Sequence, residues 1–142
     1  MKSFFFVALI FSAFVSSSAV AQDDDQFERS YVSVRMMCSF DIPESGLIAN
    51  EWTEMVDANN RFVFNYGTAN DVVVHNASGG AETYSQVSEI TSGSNDDGDE
   101  YQEMEVKSKE GDRVVIMLFD DFLSLIHYYD DGSYLIIQYY LE

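Results

Sequence analysis

Basic residues are scarce in this chain of 142 residues: seven Lys and Arg stand against 25 Asp and Glu. The resulting net charge of −18 repels phosphate backbones and anionic lipid, which argues against nucleic-acid and membrane-surface roles. Cysteine is nearly missing too. Cys38 stands alone, so no disulfide can form within the chain and no Cys-x-x-Cys pair exists. Only two histidines, His75 and His127, are present, and neither belongs to a His-Glu-x-x-His motif. There is no Gly-x-Ser-x-Gly elbow and no phosphate-cradling glycine loop. Composition leaves a glycosidase-like carboxylate pair open. Yet Glu103 and Glu105, at i and i+2, read as the solvated side of a strand. The chain is therefore read as non-enzymatic, with no catalytic residue, cofactor or metal ligand assigned.

What is present begins with an export signal. Lys2 is followed by the apolar run Phe4 to Phe11, and Ala19-Val20-Ala21 forms a small-residue cleavage site before Gln22. The run is too short, and too abruptly followed by Gln22-Asp23-Asp24-Asp25, to be a membrane anchor. Residues 1–21 are expected to be removed, 22–30 to form an acidic tail, and 31–142 to fold as one domain, secreted or periplasmic. The mature chain has 142 − 21 = 121 residues and, without Lys2, a charge of −18 − 1 = −19. That length supports a real core without disulfides. Cys38 lies far beyond the cleavage point, so it is no lipoprotein cysteine. On the apolar face of an alternating run, it reads as a small buried hydrophobe.

Beyond the signal no helical periodicity runs longer than about ten residues. The chain breaks instead into short β-prone runs. They are Tyr31 to Phe40, Glu51 to Val56, Arg61 to Tyr66, Asp71 to Asn76, Glu82 to Ile90, Tyr101 to Lys107, Arg113 to Phe119, Phe122 to Tyr129 and Tyr134 to Leu141. The first places Val32, Val34, Met36, Cys38 and Phe40 on one face, and the third does the same with Phe62, Phe64 and Tyr66. Turn chemistry separates the runs at Asn59-Asn60, Gly67 to Asn70, Ser78-Gly79-Gly80, Glu110-Gly111-Asp112 and Asp131-Gly132. No gap holds a helical crossover, so the pairing is antiparallel. The expected fold is all-β: an up-and-down meander of 8–9 strands closed into a small lipocalin-like barrel, since closure removes strand edges. Arg113 to Phe119 and Tyr134 to Leu141 are apolar on both faces. Their outer face needs cover, from a lid over Asp41 to Asn50 or from self-association through the C-terminal sheet.

The sharpest polar feature is Ser94-Asn95-Asp96-Asp97-Gly98-Asp99-Glu100, which has calcium-loop ingredients without EF-hand spacing. In a meander this turn shares an end with Asn70-Asp71 and Asp120-Asp121. Asp96, Asp97, Asp120 and Asp121 could then gather weakly bound Ca²⁺, or form a solvated acidic rim and nothing more. His75 and His127 read as satisfied strand histidines. Asn76-Ala77-Ser78 matches a glycosylation sequon, a weak signal. Aromatic side chains lining a barrel suit a small apolar ligand, although a barrel this small can be filled by those same rings.

The acid-flanked Trp52, the strand Arg61 to Tyr66, the Thr83-Tyr84 strand and the Asp97-Gly98 turn together give a resemblance. The chain resembles small exported β-barrel proteins of Gram-negative bacteria to which no activity is attached. More loosely it resembles lipocalin-type barrels, although Asn50 stands where their Gly-x-Trp opening has glycine. The first likeness implies a compartment, the second a carrier of small apolar ligands. The expected function is an exported binding protein for a small apolar ligand or a partner protein. The alternative is an acidic interaction or inhibitor protein acting on a cationic partner through its surface.

Overall fold

The computed structural model describes residues 25–141; the signal segment and the first residues of the acidic tail lie outside it. Nine strands follow in chain order: β1 (Phe27–Cys38), β2 (Val56–Tyr66), β3 (Asp71–His75), β4 (Ala81–Gln86), β5 (Thr91–Ser94), β6 (Glu100–Lys107), β7 (Arg113–Leu118), β8 (Phe122–Tyr128) and β9 (Tyr134–Tyr140). The helical content among the described residues is one 3₁₀ turn at Pro43–Ser45. Every pairing is antiparallel, in the order β4-β3-β2-β1-β9-β8-β7-β6-β5. An additional β4–β6 pairing, Ser85 with Lys107 and Gln86 with Val106, joins the two ends. The result is an eight-stranded closed barrel with one extra strand, β5.

β5 is an offset continuation of β4. Both pair with the same edge of β6, first at Ser85 and Gln86, then from Thr91 opposite Glu103 to Ser94 opposite Glu100. Between them Val87 and Ser88 both direct their N–H groups to the carbonyl of Glu105. Two amides on one acceptor is the arrangement of a bulge, which bends a strand and ends its regular pairing. The continuous Glu82 to Ile90 strand expected from sequence is therefore interrupted.

The interior follows from side-chain alternation. Tyr31, Phe62, Phe64, Val72, Val74, Tyr84, Met104, Val106, Val114, Ile116, Leu118, Leu123 and Leu125 form one buried cluster, joined by Phe27, Ile137 and Tyr139. Two local breaks change the expected faces. In β1 the register slips between Tyr31 and Ser33, opposite Ala58 and Asn59 of β2. Tyr31 is consequently buried and Val32 half exposed, while Val34, Met36 and Cys38 stand opposite Tyr139, Ile137 and Leu135. Asn59-Asn60, expected as a turn, lies inside β2. Later in β2, Asn65 adopts φ 57° at a second irregularity. That residue gains what a left-handed conformation costs from a hydrogen bond, its Nδ2 donating to the Asp25 carbonyl at 3.1 Å. Tyr66 is turned out to solvent rather than aligned with Phe62 and Phe64.

The first strand begins at Phe27, inside the span expected to be an acidic tail. Glu51 to Val56 is not a strand, since β2 starts at Val56. The turns at Gly67, Gly79, Gly111 and Gly132 all have positive φ, as their composition predicts.

The outer face of the C-terminal strands is covered by its own side chains. Phe119 stacks on Phe122 at 4.4 Å, and Phe122 stacks on Tyr140 at 5.2 Å. Arg35 then bridges Tyr140 to Trp52, its guanidinium 4.2 Å from the indole centre. The Asp41 to Asn50 segment contributes no buried residue and does not act as the expected lid.

Candidate functional site

Whether the barrel encloses a ligand site is decided by its interior. Tyr31 and Phe62 meet edge to face at 5.6 Å, Phe62 and Tyr139 at 5.0 Å, and Phe27 stacks on Phe64 at 4.8 Å. A gap among the described residues, between Phe27, Phe64, Ile90, Met104, Ile116 and Leu118, has about 10 Å³ of free space. That is scarcely one water and far below the several hundred Å³ of small-molecule pockets. Burial pushes the phenols of Tyr31 and Tyr139 up to about 12 and raises that of Tyr84 further, with Glu82 adding to the rise in Tyr84. All three therefore stay neutral and act as packing groups.

Attention moves to the surface, where the meander sorts charge between its two ends. One end carries the β2–β3, β5–β6 and β7–β8 turns and the start of β1. There lie Asp25, Asp71, Glu89, Asp96, Asp97, Asp99, Glu100, Asp120 and Asp121. Among the described residues that half holds Arg29, half-buried and committed through Nη1 to the Phe119 carbonyl. Lys107, Lys109 and Arg113 sit toward the opposite end, while Arg61 lies midway along β2, opposite Ser30 of β1. Two of them are already engaged, Arg61 with Glu28 at 3.2 Å and Arg113 with Glu105 at 3.3 Å. The rim around the β5–β6 turn is thus acidic without internal neutralisation, and with few mobile cations nearby its field reaches outward.

Asn95 holds that turn. Its Oδ1 accepts from the amides of Asp97 and Asp99 at 3.0 and 2.9 Å, and its own N–H donates to the Asp99 carbonyl. Asp96 and Asp97 are left exposed at the tip. As the alternation of turns requires, Asp120 and Asp121 share this end. Among the described residues, however, no three His, Cys, Asp or Glu side chains are grouped to hold a metal ion.

A groove of about 620 Å³ opens at the same end, between Asn70 of the β2–β3 turn and the bulged segment Gln86 to Ile90. It exists because β3 is short. Its pairing with β4 stops at Val72 opposite Tyr84, so beyond that point β4 and β5 have no neighbour on the β3 side. Sequence reading missed this feature. Val87-Ser88-Glu89, the polar end of the fifth run, was its only local signal.

The remaining singled-out residues are dispersed. Cys38 is fully buried, and its thiol donates to the Phe40 carbonyl at 3.2 Å. His127 faces inward between Tyr84 and Tyr129, and its buried Nδ1 lacks a partner, so it is not the satisfied histidine expected. Burial lowers its pKa, against the opposing pull of Asp112, Glu82 and Glu110. His75 sits between Arg61 and Ala81 in the sheet. Glu105 pairs with Arg113, while Glu103 stands opposite Met117.

No family model, curated protein or solved structure matches this chain. The barrel is compatible with a small lipocalin-like architecture. No described helix is long and apolar enough to cross a membrane.

Proposed function

We propose that this is an exported, non-enzymatic binding protein that meets a cationic partner protein at its acidic rim. The observation that carries the reading is the filled interior: the rings that could have lined a cavity belong to one packed cluster, and the gap beside Phe27 and Phe64 has about 10 Å³. A carrier of small apolar ligands would have to unpack that core, at a cost of several kcal/mol. Surface recognition requires no such opening. A net charge of −18, with its unneutralised share at one end, accelerates encounter with basic proteins and rejects acidic ones. The N-terminal signal supports a secreted or periplasmic setting, and inhibition of a cationic exported enzyme fits this chemistry.

Native mass spectrometry of the protein isolated from its own host tests the reading. A retained basic protein, released as ionic strength rises, supports it. A co-purifying lipid or pigment would overturn it in favour of the carrier.

A further inference from the structure

We propose that the free edge of β5, with the groove at its base, takes up an extended basic segment of the partner as an added β-strand. The inference rests on the surface reading and names the part of the surface and the form of the ligand.

The edge is defined by hydrogen-bond parity. Asn95 donates to the Asp99 carbonyl, so position 95 directs its backbone groups toward β6. In an antiparallel ladder the direction alternates residue by residue. Gly93 and Thr91 therefore face β6 as well, and Ser92 and Ser94 present N–H and C=O on the opposite side. Among the described residues nothing pairs with them there. Both serines are exposed.

Edges of this kind template the addition of another strand, and proteins usually guard them with lysine, proline or a covering segment. The β5 sequence Thr91-Ser92-Gly93-Ser94 carries neither lysine nor proline, and its guards are its short length and the bulge before it. β1 also overhangs at this end, but Arg29 ties it to Phe119. β5 is moreover backed by an aromatic side chain. Tyr101, opposite Gly93, lies over it so closely that a Cβ there would come within 2.9 Å of the phenol ring. Tyr101 is itself braced by Phe119 at 5.3 Å.

Charge selects the occupant. Glu89 precedes the edge and lines the groove, and Asp96, Asp97 and Asp99 follow it. A second copy of this chain would bring −18 against −18. An extended segment with alternating lysine or arginine meets the acids with one side-chain row, while its backbone completes the ladder of Ser92 and Ser94. The groove beside Ile90 has room for a side chain from the other row. Strand addition of this type draws affinity from main-chain bonds and specificity from alternate side chains.

The probe is a synthetic peptide of about six residues, matching β5 with one residue beyond each end, that alternates lysine and valine. Amide exchange read by NMR is expected to show Ser92 and Ser94 protected about tenfold or more on adding it. Ser92→Pro removes an outward N–H without touching the β6 ladder, so the fold and its thermal midpoint are retained. Peptide binding should weaken about tenfold in that variant and be unchanged in Ser92→Ala. Asp96→Asn with Asp97→Asn should weaken it independently, with a flatter salt dependence. Protection elsewhere, equal binding of a glutamate–valine peptide, or binding indifferent to Ser92→Pro would overturn the proposal. So would protection of Ser92 that rises with protein concentration alone, which would assign the edge to a second copy. These failures leave the surface reading standing, because that reading is tested by what the native protein retains.

Discussion

Phe62→Ala is the substitution that most directly probes whether the barrel is solid. Phe62 is fully buried, with Tyr31, Phe64 and Tyr139 around its ring. Removing the ring deletes apolar contact worth about 2 kcal/mol of transfer free energy. It also leaves a void of about 100 Å³, which at about 24 cal/mol per Å³ adds about 2.4 kcal/mol if the walls do not collapse. The expected loss is about 4 kcal/mol, a large part of the stability of an ordinary domain. That corresponds to a fall of about 15 °C in thermal midpoint for a domain of this size. Urea unfolding should show the same loss in midpoint with an unchanged slope. Phe62→Leu, which keeps most of the volume, should cost less than about 1.5 kcal/mol. The variant should gain an affinity for benzene-sized molecules that the wild type lacks, since dry engineered cavities accept such guests. If Phe62→Ala costs less than about 1 kcal/mol, or the wild type already binds the guest equally well, the barrel is not packed and the argument against a carrier fails.

Three further outcomes follow from buried polar groups. The buried Tyr31 hydroxyl has no partner in good hydrogen-bonding geometry, although the Arg29 guanidinium beside it is close enough to oppose the rise in its pKa, so Tyr31→Phe should be neutral or stabilise by up to about 1 kcal/mol in urea unfolding; a loss of that size would mean the hydroxyl is bonded to Arg29. His127 has a lowered pKa in the fold, so the unfolded chain takes up its proton first as pH falls below 6.5. Stability present above that pH is lost through the lowered folded value; His127→Phe should therefore lose less stability between neutral and acid pH than the wild type, and equal losses would refute the assignment. At the alkaline end, Tyr31 and Tyr139 are held neutral to about 12 against an ordinary 10, so stability complete below pH 10 drains away as pH rises toward 12. An absorbance titration should show a late phenolate step that moves to lower pH in urea.

Much of the fold was legible in the residues because it is local. Asp131-Gly132 announces the β8–β9 hairpin, and Gly132 indeed sits at φ 90°. The sharing of one end by Asp96, Asp97, Asp120 and Asp121 needed only alternation of turns. Tyr66 and Val32 were misplaced for a different reason. A single left-handed Asn65 and a one-residue slip opposite Ala58 and Asn59 reverse the side-chain phase, and periodicity cannot register such an event. The open edge of β5 was hidden for a third. It depends on how far β3 reaches, and that length emerges only when distant segments are set side by side.

The pairing of β1 with β9 has a bearing on how the molecule comes into being. Ser33 meets Tyr140 and Cys38 meets Leu135, contacts that join the two extremes of the chain. The seam cannot close until residues 134–140 are available, so folding is slow to begin. Until then two unsatisfied strands stand open to any neighbour, and a nascent or truncated form lacking residues 134–140 would be prone to clump. Strong mutual repulsion among such heavily anionic chains is one defence available during that interval.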